Sequence, residues 1–162
     1  MLPLIRTGGI AAVLGGALRI ANTFTQSLPQ GTLAVLYFVT DVLLLAGITG
    51  LYLKRRATLG FAGTAGLAIF VLGILTIRAS AFGVGTYQLG ATIAVLGLAL
   101  YSIETLLKRR GTVTPALWLL SLAAGIAAVL GLAPLPMMIL AAGAFGAGFI
   151  CAGLAMWRTP RA

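Results

Sequence analysis

The sequence predicts an all-α integral membrane protein: six transmembrane helices, arranged as three hairpins, forming a single domain over residues 1–162. Three observations lead there. Of the residues, 60% are hydrophobic and 8% charged, against roughly 25% charged in a soluble domain, so most of this surface must face lipid. Six apolar stretches, 7–24, 32–53, 58–77, 84–107, 114–132 and 135–157, use nearly the whole chain. Each approaches the ~20 residues a helix needs to cross a ~30 Å hydrocarbon core, and no soluble domain fits in what remains. The third observation is a charge pattern. Lys54-Arg55-Arg56 follows the second stretch, Lys108-Arg109-Arg110 the fourth, Arg158 and Arg161 the sixth, and Arg6 precedes the first, while the intervening loops are almost uncharged.

The elements follow in order. The first stretch opens on a weakly basic segment, Met1 to Arg6. Residues 10–18 resemble the apolar region of a signal peptide, but Arg19 interrupts them and no small-residue cleavage site follows, so an uncleaved first helix is expected. Gln26-Ser-Leu-Pro-Gln-Gly31 separates helices one and two, Arg78-Ala-Ser-Ala-Phe-Gly83 helices three and four, and Gly131-Leu-Ala-Pro134-Leu-Pro136 helices five and six. Gly and Pro punctuate these turns. Pro115 and Pro136 sit in first helical turns, where no backbone N–H bond is lost.

Charge then assigns the sides. Nine of the eleven Lys and Arg residues fall on one side of this topology, which the positive-inside rule places in the cytoplasm together with both termini. The expected location is a cell membrane, in outline a prokaryotic plasma membrane. Tyr52, Trp157 and Trp118 read as inner interfacial anchors, and Tyr37 and Tyr87 as outer ones. The net charge of +9 therefore needs no nucleic-acid partner, and no groove-fitting or base-stacking element accompanies it. Membrane lipids with anionic headgroups are the expected partners of the basic clusters, with other membrane subunits or a second copy as further candidates.

Arg6-Thr7, Arg56-Ala57-Thr58 and Arg110-Gly111-Thr112 each open an odd-numbered helix. Leu53-Lys54-Arg55-Arg56 and Leu107-Lys108-Arg109-Arg110 each close an even one, 54 residues apart (107 − 53). This reads as a parallel repeat of three hairpins, or as positive-inside signals recurring in any six-helix protein. With Ile77-Arg78-Ala79 closing the third stretch, the layout resembles in outline three-hairpin bacterial membrane proteins of the HdeD acid-resistance type. That resemblance implies a layout and no function.

Small residues recur at spacing four: Gly8, Ala12 and Gly16; Ala123, Ala127 and Gly131; Gly143, Ala147, Cys151 and Ala155; Ala144, Gly148 and Ala152. Lipid tails are as apolar as leucine, so membrane helices associate by close backbone approach, which such residues permit. The chemistry excluded is broad. Cys151 has no partner for a disulfide, and there is no histidine for haem or zinc. Asp41 and Glu104 are too few for a hard-cation cage. Ser121 and Cys151 lack a base. The expectation is therefore no enzyme, no cofactor and no metal.

Three charges stand inside apolar stretches: Arg19, Asp41 and Arg78. At 1.5 Å per residue, Arg19 lies about 7 Å and Asp41 about 13 Å below the outer surface, with Arg78 near it. Helical phase adds neighbours at that level, giving a candidate polar pocket of Arg19, Asn22, Tyr37, Asp41, Arg78, Tyr87 and Gln88. One reading is an Arg19–Asp41 bridge clamping the first hairpin while Arg78 snorkels to the interface. The other is an outward-facing site in which two guanidiniums outnumber one carboxylate and favour a carboxylate or phosphate ligand. Glu104, four residues before Lys108, reads as a helical ion pair. The function expected is binding or moving a small anionic solute or lipid. The alternative is an accessory or assembly subunit of a larger membrane complex.

Overall fold

A computed structural model describes residues 2–25, 27–80, 82–83, 85–109 and 111–157. The described residues form six helices and no strand: α1 (Leu2–Ala21), α2 (Gln30–Arg55), α3 (Phe61–Ser80), α4 (Tyr87–Leu107), α5 (Val113–Val129) and α6 (Pro134–Trp157). Five of them are long and apolar enough to cross a membrane, while α5, with 17 residues, is shorter.

Most boundaries lie within a few residues of the sequence expectation, and the exceptions have local causes. α1 starts at Leu2 rather than residue 7, because Pro3 is tolerated in a first turn. α4 starts at Tyr87 because Thr86 caps it, its hydroxyl accepting from the Leu89 N–H at 3.2 Å. α5 ends early because Gly131, at φ 80°, turns the chain and lets Leu132 N donate back to Ala127 O at 2.9 Å.

α3 packs most extensively on α4, and α1 on both α2 and α6. α5 packs on α6 and less on α4, whereas α2 touches α3 and α6 only slightly. Glycine explains how α1 serves two neighbours. Gly8 lies against Gly50 of α2, and Ala12 against Gly47, where an added Cβ would come within 2.9 Å of the Ala12 Cα. Gly9 and Gly16 lie against Gly153 and Gly146 of α6. The stripe read as Gly8, Ala12 and Gly16 is thus corrected: Gly15 joins the α2 face, and Gly16 turns to α6. The reason is phase, since seven residues return the helix close to its starting direction. The pairs Gly73–Ala94 and Gly66–Gly97 draw α3 and α4 together in the same way.

Large rings fill the space the glycine seams leave. Phe70 lies 6.3 Å from Phe145 and 5.6 Å from Phe149, centroid to centroid. Trp118 packs on Phe149 at 5.2 Å and edge-on to Tyr101 at 5.7 Å. Trp118 is 0% exposed, which corrects its reading as an interfacial anchor. Gly148 leaves the room for its indole, because any Cβ there would overlap the ring nitrogen. Burial is uneven along the bundle. No residue of α2 before Thr40, of α6 before Ala144 or of α5 after Ala124 is buried. The bundle is therefore tight towards the basic clusters and loose at the opposite end.

Candidate functional site

The loose end carries the polar residues, and packing register sets their level. Gly8 opposes Gly50, Ala12 opposes Gly47 and Gly15 opposes Leu43–Leu44. Continuing that antiparallel register places Arg19 opposite Val39 and Thr40, next to Asp41. Between α3 and α4, Gly73 opposes Ala94 and Gly90 opposes Ile77, so Arg78 is level with the start of α4. Four helices thus bring their charged and polar side chains to one layer.

Within it, Arg78 is the partner of Asp41. Its Nε donates to Asp41 Oδ2 at 2.6 Å, and its Nη2 forms an ion pair with the same oxygen. This corrects both the Arg19–Asp41 bridge and the snorkelling Arg78. The reason is reach rather than phase: Arg19 follows Ala12 by seven residues and Gly15 by four and so lies on the same α1 stripe, but its long guanidinium side chain extends into the bundle towards α4 and α6. There its Cζ stands 5.9 Å above the Phe145 ring centroid, and its Nη2 donates to the Tyr87 hydroxyl at 3.3 Å. A cation over a ring face is favourable by about 0.5–1 kcal/mol at an exposed position and more when desolvated. The Arg19 charge still acts on Asp41 through space. Among the described residues the layer therefore holds two guanidiniums and one carboxylate, and the carboxylate's hydrogen-bond partner is Arg78.

Asn22 belongs to the layer in a different way. It is 2% exposed, and its Nδ2 donates to Thr40 Oγ1 at 3.1 Å. The Thr40 hydroxyl donates to Leu36 O at 2.8 Å. Asn22 Oδ1 is buried and has no donor among the described residues. Thr40 was not among the residues expected here; its place beside Asp41, across the hairpin from Asn22, is the signal that points to it. Tyr37 is half-buried and Gln88 exposed, and among the described residues neither side chain hydrogen-bonds the cluster. Beneath the layer, Phe145, Phe70 and Phe149 pack on one another as an aromatic floor.

The second charged group lies near the basic end. Glu104 Oε1 accepts from Lys108 Nζ at 2.7 Å, as the sequence suggests. The sequence did not suggest that Glu104 also accepts from Gly60 N at 2.6 Å and Gly63 N at 2.5 Å. A carboxylate from α4 thereby caps the start of α3, where unpaired N–H groups and the helix dipole favour negative charge. The glycines matter here, since a Cβ on Gly60 would come within 2.7 Å of Lys108 Nζ. Glu104→Ala is expected to lower stability by about 2–4 kcal/mol, as two N–H groups lose a charged acceptor. Lys108→Ala is expected to cost under ~1 kcal/mol, because the lysine side chain is 40% exposed. Chemical denaturation in detergent would measure both, and equal small effects would remove the capping role.

Among the described residues, no group of three or more His, Cys, Asp or Glu side chains is placed to hold a metal ion. A cavity of about 20 Å³ near the basic end, lined in part by Lys54, Tyr101 and Thr114, has room for about one water. The fold is an apolar, all-helical bundle compatible with a polytopic membrane protein. No family model, no curated protein and no solved structure matches the chain.

Proposed function

We propose that this is a six-span protein of the cell membrane, with both termini cytoplasmic, that binds the anionic group of a small solute or lipid headgroup at an outward-facing layer built around Arg19 and Arg78. It is not an enzyme on this reading. One observation carries it: Arg78 neutralises Asp41, while Arg19 holds a phenol oxygen at 3.3 Å and an aromatic face. A guanidinium offers five donors in a planar fork suited to carboxylate or phosphate. In an apolar layer such a group favours an anion, since intramembrane charges are usually paired. The aromatic floor favours binding over passage through the bundle. The short α5 crosses on this reading by local thinning or by exposing its ends to the interface.

Topology is tested with reporter fusions at Ser80, Pro134 and Ala162. The expected result is an external signal from the first two and a cytoplasmic one from the last; any reversal would sink the orientation. Binding is tested by a thermal-shift screen of the parent and Arg19→Gln against phosphates, carboxylates and anionic lipids. Stabilisation follows RT ln(1 + [L]/Kd), so the parent should shift and the variant should not. Equal shifts, or none in the parent, would contradict the reading.

A second reading, an accessory subunit of a larger membrane complex, has one observation in its favour. Gly125 and Gly143, on α5 and α6, face open space, unlike the seam glycines. Such positions let a further helix approach closely.

A further inference from the structure

The unpaired oxygen of Asn22 restricts what the anion site accepts. Resting on the anion-binding reading above, we infer that the ligand is a phospholipid headgroup whose ammonium, beside the phosphodiester, keeps at least one N–H, with the phosphate on Arg19 and that N–H on Asn22 Oδ1.

Two buried side-chain atoms among the described residues lack a partner, Asn22 Oδ1 and Trp118 Nε1. The indole nitrogen sits in the ring core, against Gly148 and between Tyr101 and Phe149. Asn22 stands three residues after Arg19, which puts the two side chains on one helix face about 5–6 Å apart at Cβ. A two-carbon ethanolamine arm has a comparable reach. The orientation of the amide follows from its neighbours: because the Thr40 hydroxyl donates to Leu36 O, Thr40 Oγ1 can only accept from Asn22 Nδ2. The oxygen is thus the atom left over, and it requires a donor. An unpaired buried acceptor is costly, and turning the side chain towards a donor gives up one 3.1 Å bond to Thr40.

A lipid source is favoured by what surrounds the layer. Phe38, Val42, Leu75 and Tyr87 are exposed beside it, and α2 barely touches α3. The ion pair Asp41–Arg78 spans that seam. A headgroup can therefore enter from the side with its acyl chains along apolar surface. Asp41 is already engaged by Arg78, so the free acceptor for an ammonium is the amide oxygen.

The test is native mass spectrometry of the full chain with phosphatidylethanolamine, its N-methyl and N,N-dimethyl derivatives, and phosphatidylcholine, all with the same acyl chains. The first three keep at least one N–H donor and the last has none. The expected result is about tenfold tighter binding of the first three than of phosphatidylcholine, equivalent to about 1.4 kcal/mol, with the loss falling at the last methylation. Asn22→Leu should erase that step without weakening phosphatidylcholine, and Arg19→Gln should weaken all four. The series on the parent decides the matter even if Asn22→Leu does not fold. A gradual decline with each methyl, or equal affinities, would overturn the ammonium inference and leave anion binding intact. Failure of every lipid and of inorganic phosphate to bind would overturn the anion-binding reading itself. A matching preference for free O-phosphoethanolamine over phosphocholine, without lipid binding, would overturn the lipid source.

Discussion

Gly73→Ala is expected to destabilise the bundle by about 3 kcal/mol or more, at the upper end of overpacking costs. A methyl there would overlap the backbone nitrogen of Ala94 and lie 2.6 Å from its Cα. No flexible side-chain end is available to yield, so α3 and α4 must separate along their whole seam. Separation loosens Phe70, which is 0% exposed and sits at the centre of the ring cluster. The contrast is with Gly125→Ala and Gly143→Ala, which meet nothing within 4 Å. Alanine at those helical positions is expected to be neutral or stabilising by about 0.5–1 kcal/mol. Thermal unfolding of the three variants in one detergent makes the comparison. A harmless Gly73→Ala would mean that the α3–α4 seam is wider than described.

The second large effect is expected at the ion pair. Asp41→Asn and Arg78→Gln each leave a charge without its partner, which costs ~3–5 kcal/mol when the pair is fully buried. The side chains here are 13% and 30% exposed, so about 2–3 kcal/mol is expected for each. The double variant should be milder than the sum, with a coupling above ~1 kcal/mol. The same cycle between Arg19 and Asp41 should be closer to additive, because those two share no hydrogen bond. Strong coupling of Arg19 to Asp41 and none of Arg78 would restore the clamp on the first hairpin.

That contrast shows how far the sequence could be read. The helices and their order were legible because apolar runs of membrane-spanning length, Gly and Pro turns, and basic clusters are all local signals. The polar layer was legible as a level, since depth follows from counting residues along each helix. Partner choice within it was not. Whether Asp41 meets Arg19 or Arg78 depends on where two long guanidinium side chains reach across helices, Arg19 to Tyr87 and Phe145 and Arg78 to Asp41, which residue spacing along one helix does not decide. The Glu104 bonds to Gly60 and Gly63 were hidden for a similar reason: the acceptor and donors come from different helices, and only the i,i+4 lysine is visible locally. Trp118 near the start of α5 carried the same sequence signal whether it faced lipid or the core, and Gly148, 30 residues later, decides it.

The measurement that tests the central proposal most directly is the equilibrium dissociation constant of a phosphate-bearing ligand for three proteins in one detergent: the parent, Arg19→Gln and Arg6→Gln. Arg6 is a basic residue at the opposite end of α1, so Arg6→Gln controls for loss of charge as such. The account predicts at least roughly tenfold weaker binding for Arg19→Gln, about 1.4 kcal/mol, and parental affinity for Arg6→Gln. Parental affinity for Arg19→Gln, or an equal loss in both variants, would contradict it.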